Sequence, residues 1–299
     1  MAGRRPGNLR EAFPGAEIIE ISDDLPLDEA LDKAAKARAI GVAGGDGTVN
    51  AAAHVAHAAG KPLIVVPGGT LNHFARDIGV SSIDDVVSAV KDGDAVEIDV
   101  GVIDDKPFLN TASFGNYVDL VDARERLERQ VGKWPAVVFA LGRVLRRATP
   151  VYVDIDGRPT PVWMAFIGNG RYEPLGFAPA WRERLDDGVL DFRIVDATVP
   201  WARMRLLWAV ATGTLARSKV YKCDVVRGPV KIRSLEGEPI RLARDGETFQ
   251  GSSEAFTIEK SPKRLVVFVP PSEPSSSSSN RSSASASHAS PHVGGSAPR

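Results

Sequence analysis

Hydrophobic positions in the first third of the chain change period repeatedly. Glu17–Ile21 alternates as a short strand does, and Leu27, Ala30, Leu31, Ala34 and Ala35 then fall on one helical face. The spacing next predicts a strand over Ile40–Ala43, a helix over Thr48–Ala59 and a strand over Pro62–Val66. Helices are predicted to start near Leu71 and Ile83. Strands alternating with amphipathic helices imply a parallel sheet covered by helices.

Beyond Ala95 the runs become short, apolar and bounded by Gly, Pro or Asp. They are Val96–Val102, Pro107–Ser113, Val151–Ile155, Val162–Ile167, Val189–Val195, Val225–Val226, Val230–Ile232 and Phe256–Ile258. Helical spacing interrupts them at Leu120–Val131, Trp134–Arg147 and Trp201–Leu215. Three regions follow: an α/β domain over 1–95, a β-rich domain over 96–270, and a Ser-rich tail over 271–299 with too little apolar surface to order itself.

Composition narrows the chemistry. A formal net charge of −1 over 299 residues argues against a nucleic-acid binder, which needs concentrated positive charge. The one cysteine, Cys223, cannot form an intramolecular disulfide, and no Cys/His spacing suits zinc; a reducing cytoplasm is the expected setting. No run of roughly 18 apolar residues exists, so membrane contact is expected to be peripheral.

The sharpest local feature is Gly44-Gly45-Asp46-Gly47-Thr48-Val49-Asn50, between a predicted strand and a predicted helix. Glycines let backbone approach a ligand, and the helix start offers free N–H groups and a positive dipole end, so the segment is a phosphate cradle. A carboxylate at Asp46 would repel phosphate unless a divalent cation or its waters lay between, which implies Mg2+. The alternative is a tightly packed turn in which Asp46 caps the helix. A second turn, Pro67-Gly68-Gly69-Thr70-Leu71-Asn72, repeats the design after the next strand, on the side where α/β folds collect ligands.

GGDGTVN at Gly44–Asn50 followed by PGGTLNHFARDIG at Pro67–Gly79 resembles the diacylglycerol kinase catalytic-domain superfamily. The likeness continues through Asp99-Val100-Gly101, Phe108-Leu109-Asn110 and Leu185–Asp191, and ends at Asp245-Gly246-Glu247. It implies an N-terminal Rossmann-like α/β domain of the NAD kinase/phosphofructokinase kind, followed by a β-rich sandwich-like domain. It also implies ATP bound by Gly44–Asn50, Gly68, Gly69, Thr70 and Asn72, with Glu247 as general base and Asp46 and Asp99 near the catalytic metal. A structural magnesium would be held by Asp187 with main-chain oxygens of Arg184 and Val189. Read without the resemblance, Asp187-Gly188 is an ordinary turn, Asp245-Gly246 a hairpin turn and Asp99 a strand-end cap.

The chain differs from that pattern twice. It opens Met1-Ala2-Gly3-Arg4-Arg5-Pro6-Gly7, so the usual first strand is expected to be missing, and His73 stands where many relatives carry Asp. His73 either faces the magnesium waters or packs in its helix. His54 and His57, three apart on one helix, suit packing or surface roles better than a metal site, while Arg143, Arg146 and Arg147 could meet anionic head groups.

The expected function is phosphoryl transfer from ATP to a lipid hydroxyl at the membrane surface, diacylglycerol being the foremost acceptor, by a cytoplasmic, peripherally membrane-associated enzyme. A NAD or sugar-type kinase and a catalytically impaired binding module are the alternatives. The oligomeric state is open, and a homodimer is compatible with the chain.

Overall fold

The computed structural model of the chain describes residues 7–69, 72–115, 142, 149–175 and 181–271. Its elements begin with α1 (Gly7–Ala12), α2 (Leu27–Ala34), β1 (Ile40–Gly44), α3 (Asp46–Ala59), β2 (Leu63–Pro67), α4 (His73–Asp77), α5 (Ile83–Asp92) and β3 (Ala95–Ile98). Next come β4 (Gly101–Ile103), β5 (Lys106–Phe108), β6 (Thr111–Gly115), β7 (Val151–Ile155), β8 (Arg158–Asn169), β9 (Tyr172–Glu173), β10 (Trp181–Arg182) and β11 (Leu190–Asp196). Helix α6 (Ala202–Ala211) precedes β12 (Tyr221–Val226), β13 (Val230–Ser234), β14 (Arg241–Arg244), β15 (Glu247–Gln250), β16 (Ala255–Lys260) and β17 (Leu265–Phe268).

Two larger sheets organise these strands. The first runs β1-β2-β17-β3; β1 and β2 are parallel, with Gly44 opposite Pro67, so both glycine turns leave the same end. Helix α3 packs on this sheet through Ala52, Ala53 and Ala56, all fully buried, and their small side chains let it lie close to Ile40, Val42, Leu63 and Val65. A left-handed Gly60 ends α3, while a Ser82/Asp85 capping box starts α5.

The second sheet has eleven strands, ordered β15-β14-β6-β8-β7-β13-β16-β4-β5, with β11 between β8 and β12. Strands β6 and β16 are far apart along it, yet Phe114 and Phe256 meet edge to face at 6.0 Å. The sheet therefore curls over a shared core that includes Phe108, Val162, Ile167, Leu190, Ile232 and Leu242. Each such fully buried side chain contributes about 1.5–3 kcal/mol relative to exposure. The outcome is the expected mixture of an α/β layer and a curled, sandwich-like β region, with two corrections. The first sheet is mixed, because β17 pairs antiparallel with β3, and β17 comes from within the stretch 96–270 expected to be the separate β-rich domain.

Several expectations change. Glu17–Ile21 forms no strand; the nearest pairing is an isolated bridge between Ser22 and Leu25, and alternation without a partner row of N–H and C=O groups makes no ladder. The run Val96–Val102 splits into β3 and β4, which belong to different sheets, and Pro107–Ser113 divides into β5 and β6. Strands β9, β10, β14, β15 and β17 fall outside the predicted runs. The helices predicted over Leu120–Val131 and Trp134–Arg147, the arginines Arg143, Arg146 and Arg147, and the tail from 272 lie outside the described residues.

Candidate active site

The first glycine turn is shaped by contacts that leave no room for side chains. A Cβ on Gly69 would lie 2.7 Å from Gly45 Cα, one on Gly68 3.0 Å from Gly44 N, and one on Gly44 2.9 Å from Thr48 Cβ. The two turns are thus stacked backbone on backbone, and the Gly68 N–H donates to Gly44 O at 2.9 Å. Gly47 meets nothing within 4 Å and opens outward. Val49, in the first turn of α3, is a core side chain.

Asp46 is the first residue of α3, half-buried, and Gly45 occupies the N-cap position without any side-chain cap. The capping alternative for Asp46 therefore fails, and its charge faces the positive end of the helix. Asn72 adopts left-handed geometry with φ 47 and clamps the second turn: Gly69 N donates to its Oδ1 and its Nδ2 donates to Gly69 O, both at 2.8 Å. Thr70, the other expected contact of that turn, lies outside the described residues.

The late Asp-Gly-Glu segment reaches the same end of the molecule. Asp245 and Gly246 form the two-residue turn between β14 and β15, at φ 46 and φ 88, so the hairpin reading of this segment is correct. The Asn50 amide donates to Asp245 O at 3.4 Å, which seats the hairpin tip on the first turns of α3. Among the described residues Asn50 Oδ1, buried, has no hydrogen-bond partner. Glu247 is exposed, with Arg244 Nη2 3.9 Å from its carboxylate. Its oxygens are open to solvent and to whatever binds there.

Asp245 itself, unassigned from the sequence, is a staple. Its carboxylate accepts the N–H groups of Leu109 at 2.7 Å, Asn110 at 2.8 Å and Thr111 at 3.0 Å. Burial pushes its carboxyl above the usual range while these three donors pull it down. Arg182 donates to the same segment at Leu109 O, 2.8 Å, and Asn110 Oδ1, 3.0 Å, and to Asn169 O of β8 at 2.7 Å. Arg182 is paired at 2.6 Å with Asp77 of α4, and both side chains are buried. One guanidinium thereby joins the helix after the second glycine turn to the segment that Asp245 holds. Asp77 sits in the sequence motif already noted, but no local signal points to Arg182.

Asp99 is not a strand-end cap. Its carboxylate accepts Gly188 N–H at 2.7 Å and pairs with Arg264 at 3.2 Å and Lys260 at 3.5 Å. Burial lowers the Lys260 pKa, and Asp99 and Asp187 work against that shift. Lys260 also donates to Asn169 Oδ1 at 2.6 Å. Asp99 thus ties the crossing between the two sheets to the Asp187 loop.

In that loop Asp187 accepts Arg171 N–H at 3.0 Å and Val189 N–H at 3.1 Å, while Val189 O accepts Gly170 N–H at 3.0 Å. A Cβ on Gly170 would lie 3.2 Å from Arg184 O and 3.6 Å from Asp187 Oδ1, so both oxygens border the space a side chain would fill. A carboxylate with main-chain carbonyls is the donor chemistry of a hard divalent cation. No group of three or more His, Cys, Asp or Glu side chains is placed to hold a metal ion among the described residues.

His54 and His57 take structural positions. His54 lies beside Arg244, whose Nη1 is 3.2 Å from Nδ1, and burial followed by the Arg244 charge lowers its pKa to about 4. His57 Nε2 lies 3.0 Å from Ser261 Oγ. His73 is exposed, so the packed alternative fails; its Nδ1 accepts from Arg76 at 2.9 Å.

The diacylglycerol kinase catalytic domain family matches residues 7–103. The chain is 32% identical over 241 residues to the "Probable lipid kinase YegS-like" of Pseudomonas fluorescens Pf-5, covering 77% of each chain. It belongs to this lipid kinase family. Diacylglycerol kinase of Bacillus subtilis strain 168 is 30% identical over 218 residues, covering 69% of each chain. A candidate diacylglycerol kinase from Bacillus anthracis str. Sterne superposes with a TM-score of 0.62 at 25% identity, covering 88% of this chain and 89% of the other. Family membership accords with the stacked turns and the hairpin seated on α3. In addition, no helix among the described residues is long and apolar enough to cross a membrane.

Proposed function

We propose that this family member is an ATP-dependent kinase that transfers the γ-phosphoryl group to the hydroxyl of a membrane lipid, of the diacylglycerol type. The observation that carries the reading is the seating of the Asp245–Glu247 hairpin on α3 through Asn50, the helix that follows the first of two glycine turns in which Gly44, Gly68 and Gly69 have no space for side chains. Main-chain N–H groups at the start of α3 would orient the nucleotide phosphates, and Asn50 Oδ1, buried without a partner among the described residues, would accept a donor of the nucleotide or its water. Asp46 would hold Mg2+, which would neutralise charge on the phosphates. Asp187, Arg184 O and Val189 O would hold a second, structural Mg2+ away from the chemistry.

Glu247 would accept the hydroxyl proton of the lipid as its oxygen bonds to phosphorus and the bond to the departing nucleotide breaks. A positioned carboxylate in this role contributes a factor of ~10²–10⁴. The enzyme would work in the cytoplasm at the membrane surface. The test is magnesium-dependent transfer of labelled γ-phosphate to a panel of lipid alcohols, comparing native protein with Glu247→Gln. Product on a diacylglycerol, reduced by that factor in the variant, is expected. ATP binding with no lipid product would overturn the reading, and full activity in Glu247→Gln would remove Glu247 from its role.

A further inference from the structure

Helix α6 carries apolar side chains on two faces, and among the described residues one of these faces packs into a core. Ala202, Leu206, Ala209 and Val210 are buried against Trp163, Met164 and Val195. Opposite them Trp201, Met204 and Trp208 are exposed at 79%, 62% and 72%. Met204 and Trp208, four residues apart, share a helical face, and Trp201 immediately precedes the helix at its N-cap. These outer side chains stand in solvent beside Arg205 of the same helix, while the inner ones enter the core.

Backbone geometry adds a second observation. Trp201 stands at the start of α6 in left-handed conformation, with φ 60, which is costly for a bulky residue. Its ring is the most exposed of the large apolar side chains among the described residues, so burial within the chain does not offset that cost.

Charge identifies the partner. Ala197–Cys223 contains five basic residues, Arg203, Arg205, Arg217, Lys219 and Lys222, and no acidic one, in a chain whose net charge is −1. Lys222 is held by Asp196 at 2.6 Å, and Arg203 stacks 4.7 Å from the Trp163 ring. Arg205, Arg217 and Lys219 are exposed. Tryptophans beside arginine and lysine are the composition that settles at the head-group level of a bilayer, where indole has an apolar body and a polar edge.

From these features we infer that the outer face of α6, with the basic segment that follows it, docks the protein onto an anionic lipid surface. The inference rests on the lipid kinase reading only for its purpose, which would be to bring the site to a substrate dissolved in the bilayer; the contact itself needs no catalysis.

The full chain is sedimented with vesicles of phosphatidylcholine alone and of phosphatidylcholine mixed with phosphatidylglycerol. Native protein should prefer the anionic vesicles and lose that preference at high salt. Trp201→Gln combined with Trp208→Gln should lower partitioning by about tenfold or more, with an unchanged unfolding transition, because both rings are exposed. Activity on a short-chain, water-dispersed diacylglycerol should stay at the native level while activity on vesicle-borne lipid falls. Equal partitioning of native and double-variant protein would overturn the docking surface. So would a change from dimer to monomer in the variant without loss of vesicle binding, which would assign the face to a second copy. Tryptophan-dependent binding with no kinase activity would sustain the docking surface and sink the kinase reading; an active kinase indifferent to both tryptophans would do the reverse.

Discussion

The two ends of the candidate site are held in shape by opposite means. At the glycine turns nothing charged does the holding: Gly44, Gly45, Gly68 and Gly69 meet backbone to backbone, and shape follows from missing side chains. At the hairpin end almost everything is charge and hydrogen bond, with Asp245, Arg182, Asp77, Asn169, Asp99 and Lys260 joined around the backbone of 109–111. On the proposed kinase reading, a phosphate cradle would need backbone N–H groups that side chains do not cover, whereas a hairpin carrying a general base would need to be fixed at an angle. The first arrangement should fail by steric insertion, the second by loss of a partner.

The largest expected effect therefore belongs to the charged end. Arg182→Met should destabilise the fold by about 3–5 kcal/mol, because it removes the partner of the buried Asp77 carboxylate and a donor from Asn169 O and Asn110 Oδ1, while Leu109 O keeps Asn169 Nδ2. Adding Asp77→Leu removes the stranded charge and should recover part of that loss. Urea unfolding of both variants measures it. A loss below about 1 kcal/mol for Arg182→Met would mean the pair behaves as a solvated surface bridge.

That charged end is also what the sequence conceals. Glycine turns, the Asp-Gly hairpin and most strands could be read from it, because φ > 0 turns and alternation are local demands on residue type. Val96–Val102 reads as one apolar run, and only the partners show that β3 joins one sheet and β4 the other, with Asp99 and Val100 at the crossing. Leu265–Phe268 carries no helical or alternating signal, and it is placed by pairing with β3 and β2 far upstream in the chain. Arg182 looks like any surface arginine until tertiary packing takes it out of water beside Asp77. Glu17–Ile21 errs in the other direction, having the pattern of a strand without a neighbour to complete it.

A pH titration sharpens the comparison next, since only the charged seam should respond to protons. His54 binds a proton less readily folded, at about 4, than its ordinary value of 6.5. Between those values the unfolded chain holds more protons, so stability rises with pH across the window and is lost as pH falls from about 6.5 to about 4. The loss has an upper bound of about 3 kcal/mol. His54→Gln should flatten this part of the profile, and the difference between native and variant isolates the imidazole from Asp245, whose shift runs the other way. Identical profiles would mean that His54 is hydrated in solution and does not report on the α3–β14 contact.

The glycine end offers the smallest energies and the cleanest contrast. A methyl group at Gly69 must push against Gly45 Cα and Asn72 Oδ1, at 2.7 Å and 3.0 Å, and backbone cannot swing aside as a flexible side chain would. Gly69→Ala should cost about 1–3 kcal/mol in stability and weaken ATP binding, because separating the turns also breaks the Asn72 clamp. Gly47→Ala meets nothing within 4 Å and lies in the first turn of α3, where alanine favours the helix, so stability should hold or rise by up to about 1 kcal/mol. If Gly47 borders the bound phosphates, the same methyl should still weaken ATP binding, uncoupling affinity from stability at one position and coupling them at the other. Calorimetric ATP titration beside thermal unfolding separates the cases. Unchanged affinity in a stabilised Gly47→Ala would place the phosphates away from the outer side of the turn, against the stacked side where Gly45 and Gly69 meet.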